Sequence, residues 1–223
     1  GKNIRERAMD LISIAHPKFR PELISKAKAK GLIYNDQAFV PGKRGEYPEQ
    51  LETLRTTKEG LEIFLRPVNI SDEPLLKDFF YSLSDESTYK RFISARKDMP
   101  HERLQEFVVI DHSQETVILA TIGEEDNETV VGIGQYGINE NKHTAEVSVV
   151  VRDDYQKKGI GGELIKYLTY LAKKQGLLGF TAEVLVDNKP MLHVFEEMGF
   201  DMEKHNIEGV YELKMTFHRN DEV

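Results

Sequence analysis

The stretch QKKGIGG, residues 156–162, sets two lysines beside three glycines, directly before the amphipathic run ELIKYLTYLAKKQ. These residue types at this spacing suit an anion. The first amides of a helix have no intrahelical acceptor, and the helix dipole leaves that end partly positive. Glycines let the backbone approach a ligand without Cβ obstruction. Together they make a cradle for a phosphate or pyrophosphate, with Lys157 and Lys158 adding charge at its rim. A plain strand-to-helix turn, with glycines for tight packing, would use the same residues, so both readings stand on this stretch alone. Other phosphate signatures fail. No Gly-Lys pair is followed by the Ser or Thr of a Walker loop, and Leu164 occupies the third glycine position of a dinucleotide fingerprint begun at Gly159. GIGQYG, Gly132 to Gly137, meets that fingerprint, but a helix must follow it. Here INENK turns into another alternating segment, so these glycines are expected to serve a bulge or a close approach of strands.

The elements around the cradle read as α/β. LEIFLRPV (61–68), TVILATIG (116–123), ETVVGIGQYGI (128–138), HTAEVSVVV (143–151), FTAEVLV (180–186) and GVYELKMTF (209–217) carry the alternation of strands. EEDN and NENK are expected to make hairpin-like turns between the second, third and fourth of these. Helices are expected over 72–84, in STYKRFIS and PHERLQEFVVI, from Gly161 to Gln175, and over 188–199 closed by Gly199. In the helix after the cradle, Leu164, Leu168, Leu171 and Ala172 share one face, as packing on a sheet requires. Upstream, residues 4–30 read as two helices, the first with Ile4, Ala8, Leu11, Ile12 and Ala15 on one stripe. NDQAFVPGKRGEYPEQ lacks periodicity and reads as a linker or arm. Two such short helices cannot make much of a core alone. The expected division is a helical segment and linker over 1–56 and a main domain over 57–223.

Composition narrows the class. Of 223 residues, 39% are hydrophobic and 30% charged, the balance of a globular protein. No run is long and apolar enough to span a bilayer and no signal peptide opens the chain, so no membrane role is expected. Cysteine is absent, which excludes disulfides, thiolate zinc sites and cysteine nucleophiles. A reducing compartment is compatible with that, and the cytoplasm is the expected location. The net charge of −8 is uneven: residues 1–60 hold 12 Lys+Arg against 8 Asp+Glu, the rest 18 against 30. An acidic main domain argues against sequence-independent nucleic-acid binding, which rests on neutralising phosphates. It suits a cationic partner such as a lysine side chain, or serves solubility. The seven histidines are scattered, and no metal site is expected.

The run AEVSVVVRDDYQKKGIGGELIKYLTYLAKKQG resembles the acetyl-CoA-binding motif of the GNAT superfamily of N-acetyltransferases. Its pattern, Q/R-x-x-G-x-G/A at a strand–helix junction, is met by Gln156, Gly159 and Gly161. VLVDNKPMLHVFEEMGF is similar to the family's next block, with Asn188 and a closing Gly-Phe pair. The resemblance covers about residues 60–217. It implies an α/β (α+β) fold: a mixed, twisted sheet with splayed central strands, the fourth and fifth read above, flanked by helices. It also implies acetyl-CoA as cosubstrate. Backbone around Val149, Val150 and Val151 would pair with the pantetheine arm, which Asn188 would touch. The amides of Lys157, Lys158, Gly159, Ile160, Gly161 and Gly162 would hold the pyrophosphate.

Acetyl transfer to an amine needs a base, because a lysine amine with a pKa near about 10.4 is mostly protonated at neutral pH. Glu146 is an acid within an otherwise apolar strand, a costly placement unless it is partnered or wet. In bacterial protein-lysine acetyltransferases, which the chain resembles, a glutamate in a similar AEV context is the general base, and that role carries over to Glu146. The alternative is a carboxylate facing a solvated groove or a neighbour. Glu183, in FTAEVLV, is the competitor, read as a surface acid. Many family members carry a tyrosine that protonates the leaving thiolate where this chain has Phe195, read as a core residue; Tyr211 is another candidate for that proton. The implied acceptor is a protein lysine, for example on an acyl-CoA-metabolising enzyme; a small amine, or a CoA-thioester sensor without transfer, are the other readings. Finally, RERAMDLISIAHPKFRPELISKAKAKG (5–31) resembles the tail of the acetyl-CoA hydrolase/CoA-transferase family, and the chain opens with Gly1 rather than Met. The expectation is a CoA-transferase-like domain upstream in a longer polypeptide.

Overall fold

The computed structural model describes residues 4–15, 19–34, 48–92, 104, 107, 108, 114–123, 127–139 and 143–218. One eight-stranded sheet runs in the order β1-β2-β3-β4-β5-β6-β8-β7. Its strands are β1 (Thr53–Thr56), β2 (Glu62–Pro67), β3 (Glu115–Ile122), β4 (Thr129–Asn139), β5 (Thr144–Val151), β6 (Gly179–Leu185), β7 (Asp201–Ile207) and β8 (Val210–Thr216). Every neighbouring pair is antiparallel except β5 and β6, which run parallel. The helices are α1 (Ile4–Ile14), α2 (Arg20–Ala29), α3 (Glu73–Ser82), α4 (Asp85–Phe92), α5 (Ile160–Lys174) and α6 (Lys189–Glu197). This is the mixed α/β sheet flanked by helices expected from the sequence. Most of the linker, most of PHERLQEFVVI and of the EEDN and NENK turns lie outside the described residues. Among the described residues, no helix is long and apolar enough to cross a membrane.

Both faces of the sheet are covered. On one, α5 buries Leu164, Leu168, Leu171 and Ala172 against Val131, Tyr136, Ala145 and Val147, and α6 adds Leu192 and Phe195. On the other, Leu76, Phe79 and Phe80 of α3, with Leu104, Phe107 and Val108, cover Val117, Leu119, Ile133 and Val150. The Gly132–Gly137 segment is strand throughout, and two of its glycines, Gly132 and Gly134, admit the helix. A Cβ on Gly134 would lie 2.9 Å from Leu168 Cδ1, and one on Gly132 would lie 3.0 Å from Ile160 Cγ2. That close approach brings the start of α5 down onto the sheet. The register between β3 and β4 shifts at Ala120/Thr121, beside the same glycines.

Two strands are additional to the sequence reading. Residues 53–56, read as the end of the linker, form an edge strand on β2. Residues 201–207 form the opposite edge, exposed along nearly their whole length. The apolar stripe of α1 also differs. Ile4 and Leu11 are 68% and 66% exposed, while Met9 and Ile12 are buried. Met9 and Ile12 pack on Ala27 and Ile33, with Ile24 and Ile70 alongside. α1 therefore turns toward α2 and the start of α3 the narrow face that those partners can cover. Arg5 adds an ion pair to Glu73 at 3.3 Å.

A buried ionic cluster ties the sheet to α3. Arg66 on β2 donates to both carboxylate oxygens of Asp72, at 2.7 and 2.9 Å, and to both of Glu128, at 2.8 Å each. Asp72 also accepts from the Asn69 amide at 2.6 Å, closing a capping box at the entry to α3.

Candidate active site

The parallel pair β5/β6 is in register for three rungs: Thr144 with Gly179, Ala145 with Phe180 and Glu146 with Thr181. Beyond Glu146 the strands part. Val147–Val151 continues only with β4, and Ala182–Leu185 only with β8. A groove of about 690 Å³ adjoins this gap, lined by Val149, Val150 and Val151, the 156–162 loop, the first turns of α5 and one side of α6. Its floor is apolar, with Val149, Val151, Met191 and Val194, and its rim is charged.

The loop is built by a chain reversal. Lys157 has φ +60° and Gly159 has φ +82°, both in the left-handed region that lets the chain turn from β5 into α5. Gln156 does not point free. Its Nε2 donates to Val151 O at 3.2 Å and to Ser87 Oγ at 3.1 Å, tying the loop to its own strand and to α4. Asp153 reinforces that link, accepting from the Ser84 amide at 2.9 Å, Ser84 Oγ at 2.7 Å and Ser87 Oγ at 2.8 Å. Burial alone would raise the Asp153 pKa, but these hydrogen bonds hold it below the ordinary carboxylate value. α5 begins at Ile160, so the amides of Gly161 and Gly162 precede any intrahelical acceptor and open toward the groove.

Of the residues singled out in the sequence, Val149, Val150, Val151, Gln156, Lys157, Gly159, Ile160, Gly161, Gly162 and Asn188 line one groove. Asn188 also caps α6, its Oδ1 accepting from Met191 N at 3.4 Å. Lys158 is not among the lining residues; its Nζ lies 4.3 Å from the centre of the Tyr155 ring. Glu146 is exposed on the last rung before the gap, so its carboxylate is wet. By strand alternation it shares the α3 face of the sheet with Val150. Glu183 is exposed as well, paired in register with Glu212. Phe195 is 1% exposed, in the core, and Tyr211 does not line the groove. Among the described residues, no three His, Asp or Glu side chains come together as a metal ion would need. His193, read from the sequence as a helix-surface or groove residue, lines the groove, whereas the rest of the rim was missed: Lys58 and Glu59 from the β1–β2 turn, Lys166 on α5 and Glu197 on α6. Lys166 pairs with Glu163 at 2.9 Å, one turn away on the same helix. A basic residue one turn into the helix after the cradle was the available signal for Lys166. Lys58 had none, because its contacts are long-range.

A sheet that parts at one parallel junction, with a glycine-turned helix start at the opening, is the architecture of a CoA-dependent acetyltransferase. The chain belongs to the GNAT acetyltransferase family, whose model matches residues 77–200. Residues 1–27 match the acetyl-CoA hydrolase/transferase C-terminal domain. An acetyltransferase of Pseudomonas aeruginosa is 25% identical over 147 residues, 66% of this chain and 79% of that protein. Acetyltransferase Pat of Mycolicibacterium smegmatis is 32% identical over 145 residues, 64% of this chain and 42% of Pat. The GNAT domain of S. lividans PAT superposes with a TM-score of 0.70 at 26% identity, covering 77% of this chain and all of that domain.

The loop glycines divide by role, which a stability measurement separates. A Cβ on Gly159 would meet Thr57 Cβ at 3.0 Å in a left-handed backbone, whereas one on Gly162 meets nothing within 4 Å. Gly159→Ala is expected to cost about 1–3 kcal/mol in urea unfolding. Gly162→Ala, in a helical turn, is expected to hold or gain stability by up to about 1 kcal/mol. Equal effects would refute the division.

Proposed function

We propose that the chain transfers the acetyl group of acetyl-CoA directly to the ε-amine of a protein lysine, with Glu146 as general base. The observation that carries this is the place of Glu146: a solvated carboxylate on the final β5–β6 rung, at the start of the gap that the groove adjoins. The groove fits the cosubstrate by chemistry. Free amides and Lys157 suit phosphates, and the apolar floor with strand edges suits a pantetheine arm. In the reaction the amine lone pair forms a C–N bond at the thioester carbonyl, the C–S bond breaks, and the thiolate leaves. Glu146 takes the amine proton, directly or through water. The groove offers no hydroxyl at Phe195 to protonate the thiolate, so solvent or another group supplies that proton.

Support for a lysine acceptor comes from the acid excess beyond residue 60 and from the likeness to Pat. The match over residues 1–27 supports an acceptor among acyl-CoA-metabolising enzymes and a CoA-transferase-like domain upstream. The test offers acetyl-CoA with three acceptors: an acyl-CoA synthetase, a polyamine and an aminoglycoside. Thiol release is followed and acetyl-lysine mapped by mass spectrometry. Acetyl-lysine on the protein acceptor is the expected result. Turnover with the small amines alone would replace the protein acceptor. Tight binding without any transfer would instead make the domain a CoA-thioester sensor, the reading that the buried Phe195 favours.

A further inference from the structure

Lys58 stands outside both matched segments of the chain, yet it lines the groove. It is presented by a fixed turn. The Thr57 amide donates to Leu61 O at 2.8 Å, the Gly60 amide donates to Thr57 O at 2.9 Å, and Leu61 N donates to Thr57 Oγ1 at 3.2 Å. The turn rests on the loop: a Cβ on Gly159 would lie 3.3 Å from Lys58 Cγ and 3.4 Å from Lys58 N. Its ammonium reaches across to α6, where Nζ bonds both Glu197 oxygens at 3.1 and 3.0 Å, spanning 139 residues of sequence. Glu197 also faces His193 Nε2 at 3.4 Å.

We propose that Lys58 is a phosphate-binding residue of this groove, and that Glu197 competes with the ligand's phosphate for it. The inference rests on the reading of the groove as the acetyl-CoA site. The Lys58 and Glu197 side chains are 58% and 40% exposed, and a solvated pair of this kind contributes little by itself. A phosphate carries more charge and more acceptor oxygens than a carboxylate, so exchange of partner is favourable. The stem of Lys58 is already in place beside the helix start, and only the flexible end of the side chain must turn.

The test is calorimetric titration with acetyl-CoA and with acetyl-3′-dephospho-CoA. The proteins are the wild-type chain, Lys58→Met, Lys58→Arg, Glu197→Gln and the Lys58→Met/Glu197→Gln pair, each checked for folding by its melting curve. Lys58→Met is expected to weaken acetyl-CoA about tenfold, and Lys58→Arg to restore most of it. Glu197→Gln is expected to tighten binding about two- to threefold, and that gain should shrink when Met stands at 58. A loss confined to acetyl-CoA places Lys58 on the 3′-phosphate; an equal loss with the dephospho form places it on the pyrophosphate. Either outcome supports the proposal. Glu197→Gln weakening binding as much as Lys58→Met would make the pair a structural staple and overturn it, as would unchanged affinity in Lys58→Met. If Lys58→Met fails to fold, Glu197→Gln decides alone. No binding by the wild-type chain would overturn the acetyl-CoA reading itself and this inference with it.

Discussion

Glu146→Gln is expected to lower kcat for acetyl transfer by about 10²–10⁴-fold, the range lost with a general base. Acetyl-CoA affinity should stay within about twofold in the same variant, because Glu146 is not among the residues lining the groove. That split separates a base from a residue that merely shapes the binding site. A second signature is pH. An acceptor lysine titrates near about 10.4, so alkaline solution supplies the free amine without a base. The deficit of Glu146→Gln should therefore shrink as pH rises. Glu183→Gln is the control. Glu183 is exposed, lies opposite Glu212 and stands two residues past the Glu146–Thr181 rung, and its replacement is expected to leave kcat near the wild-type value. A Glu146→Gln enzyme with full turnover, or one whose deficit is the same at every pH, would remove the base assignment.

Arg66→Met is expected to cost about 3–5 kcal/mol, because it strands two carboxylates that the guanidinium neutralises. In a chain of this length that lowers Tm by roughly 10 °C. Asp72 is 4% exposed and Arg66 is 8% exposed, so water cannot replace the lost bonds. Burial alone would raise the Glu128 pKa, but hydrogen bonds from Arg66 and Thr121, with the Arg66 charge, hold it below the ordinary carboxylate value. A depressed folded-state pKa contributes stability that is present above the unfolded value and is lost as pH falls through the folded one. The gap between wild type and Arg66→Met should thus be widest near neutrality and narrow below about pH 4. A gap independent of pH would mean that shape, not charge, carries the cluster.

The central elements were legible because their signals are strong. β5 and α5 carry clear periods of two and of 3.6, and the loop between them carries glycines where the backbone turns left-handed. The cradle residues other than Lys158 therefore line one groove. What escaped lacks a period of its own. β7, with the sequence DMEKHNI, is exposed along most of both sides, so no apolar alternation marks it; pairing with β8 alone makes it a strand. β1 has four residues, too few to show alternation. The stripe on α1 was misplaced because Ile4, Leu11 and Ile12 are equally apolar in sequence, and only packing on Ala27 and Ile33 selects Met9 and Ile12. Lys58 was invisible for a related reason: its role comes from a contact with Glu197, not from its neighbours in the chain.

The three-rung junction between β5 and β6 has a mechanical side. It is the narrowest seam in the sheet, since every other neighbouring pair is joined over four or more positions. Past Glu146 the edges of β5 and β6 can move apart without breaking a single cross-strand bond. α5 and α6 then act as a splint across the seam, with Leu192 and Phe195 joining the core on one side to the strands on the other. The fold therefore concentrates its weakest backbone coupling along one line, and load between the two halves of the sheet passes there through side-chain packing rather than through cross-strand hydrogen bonds.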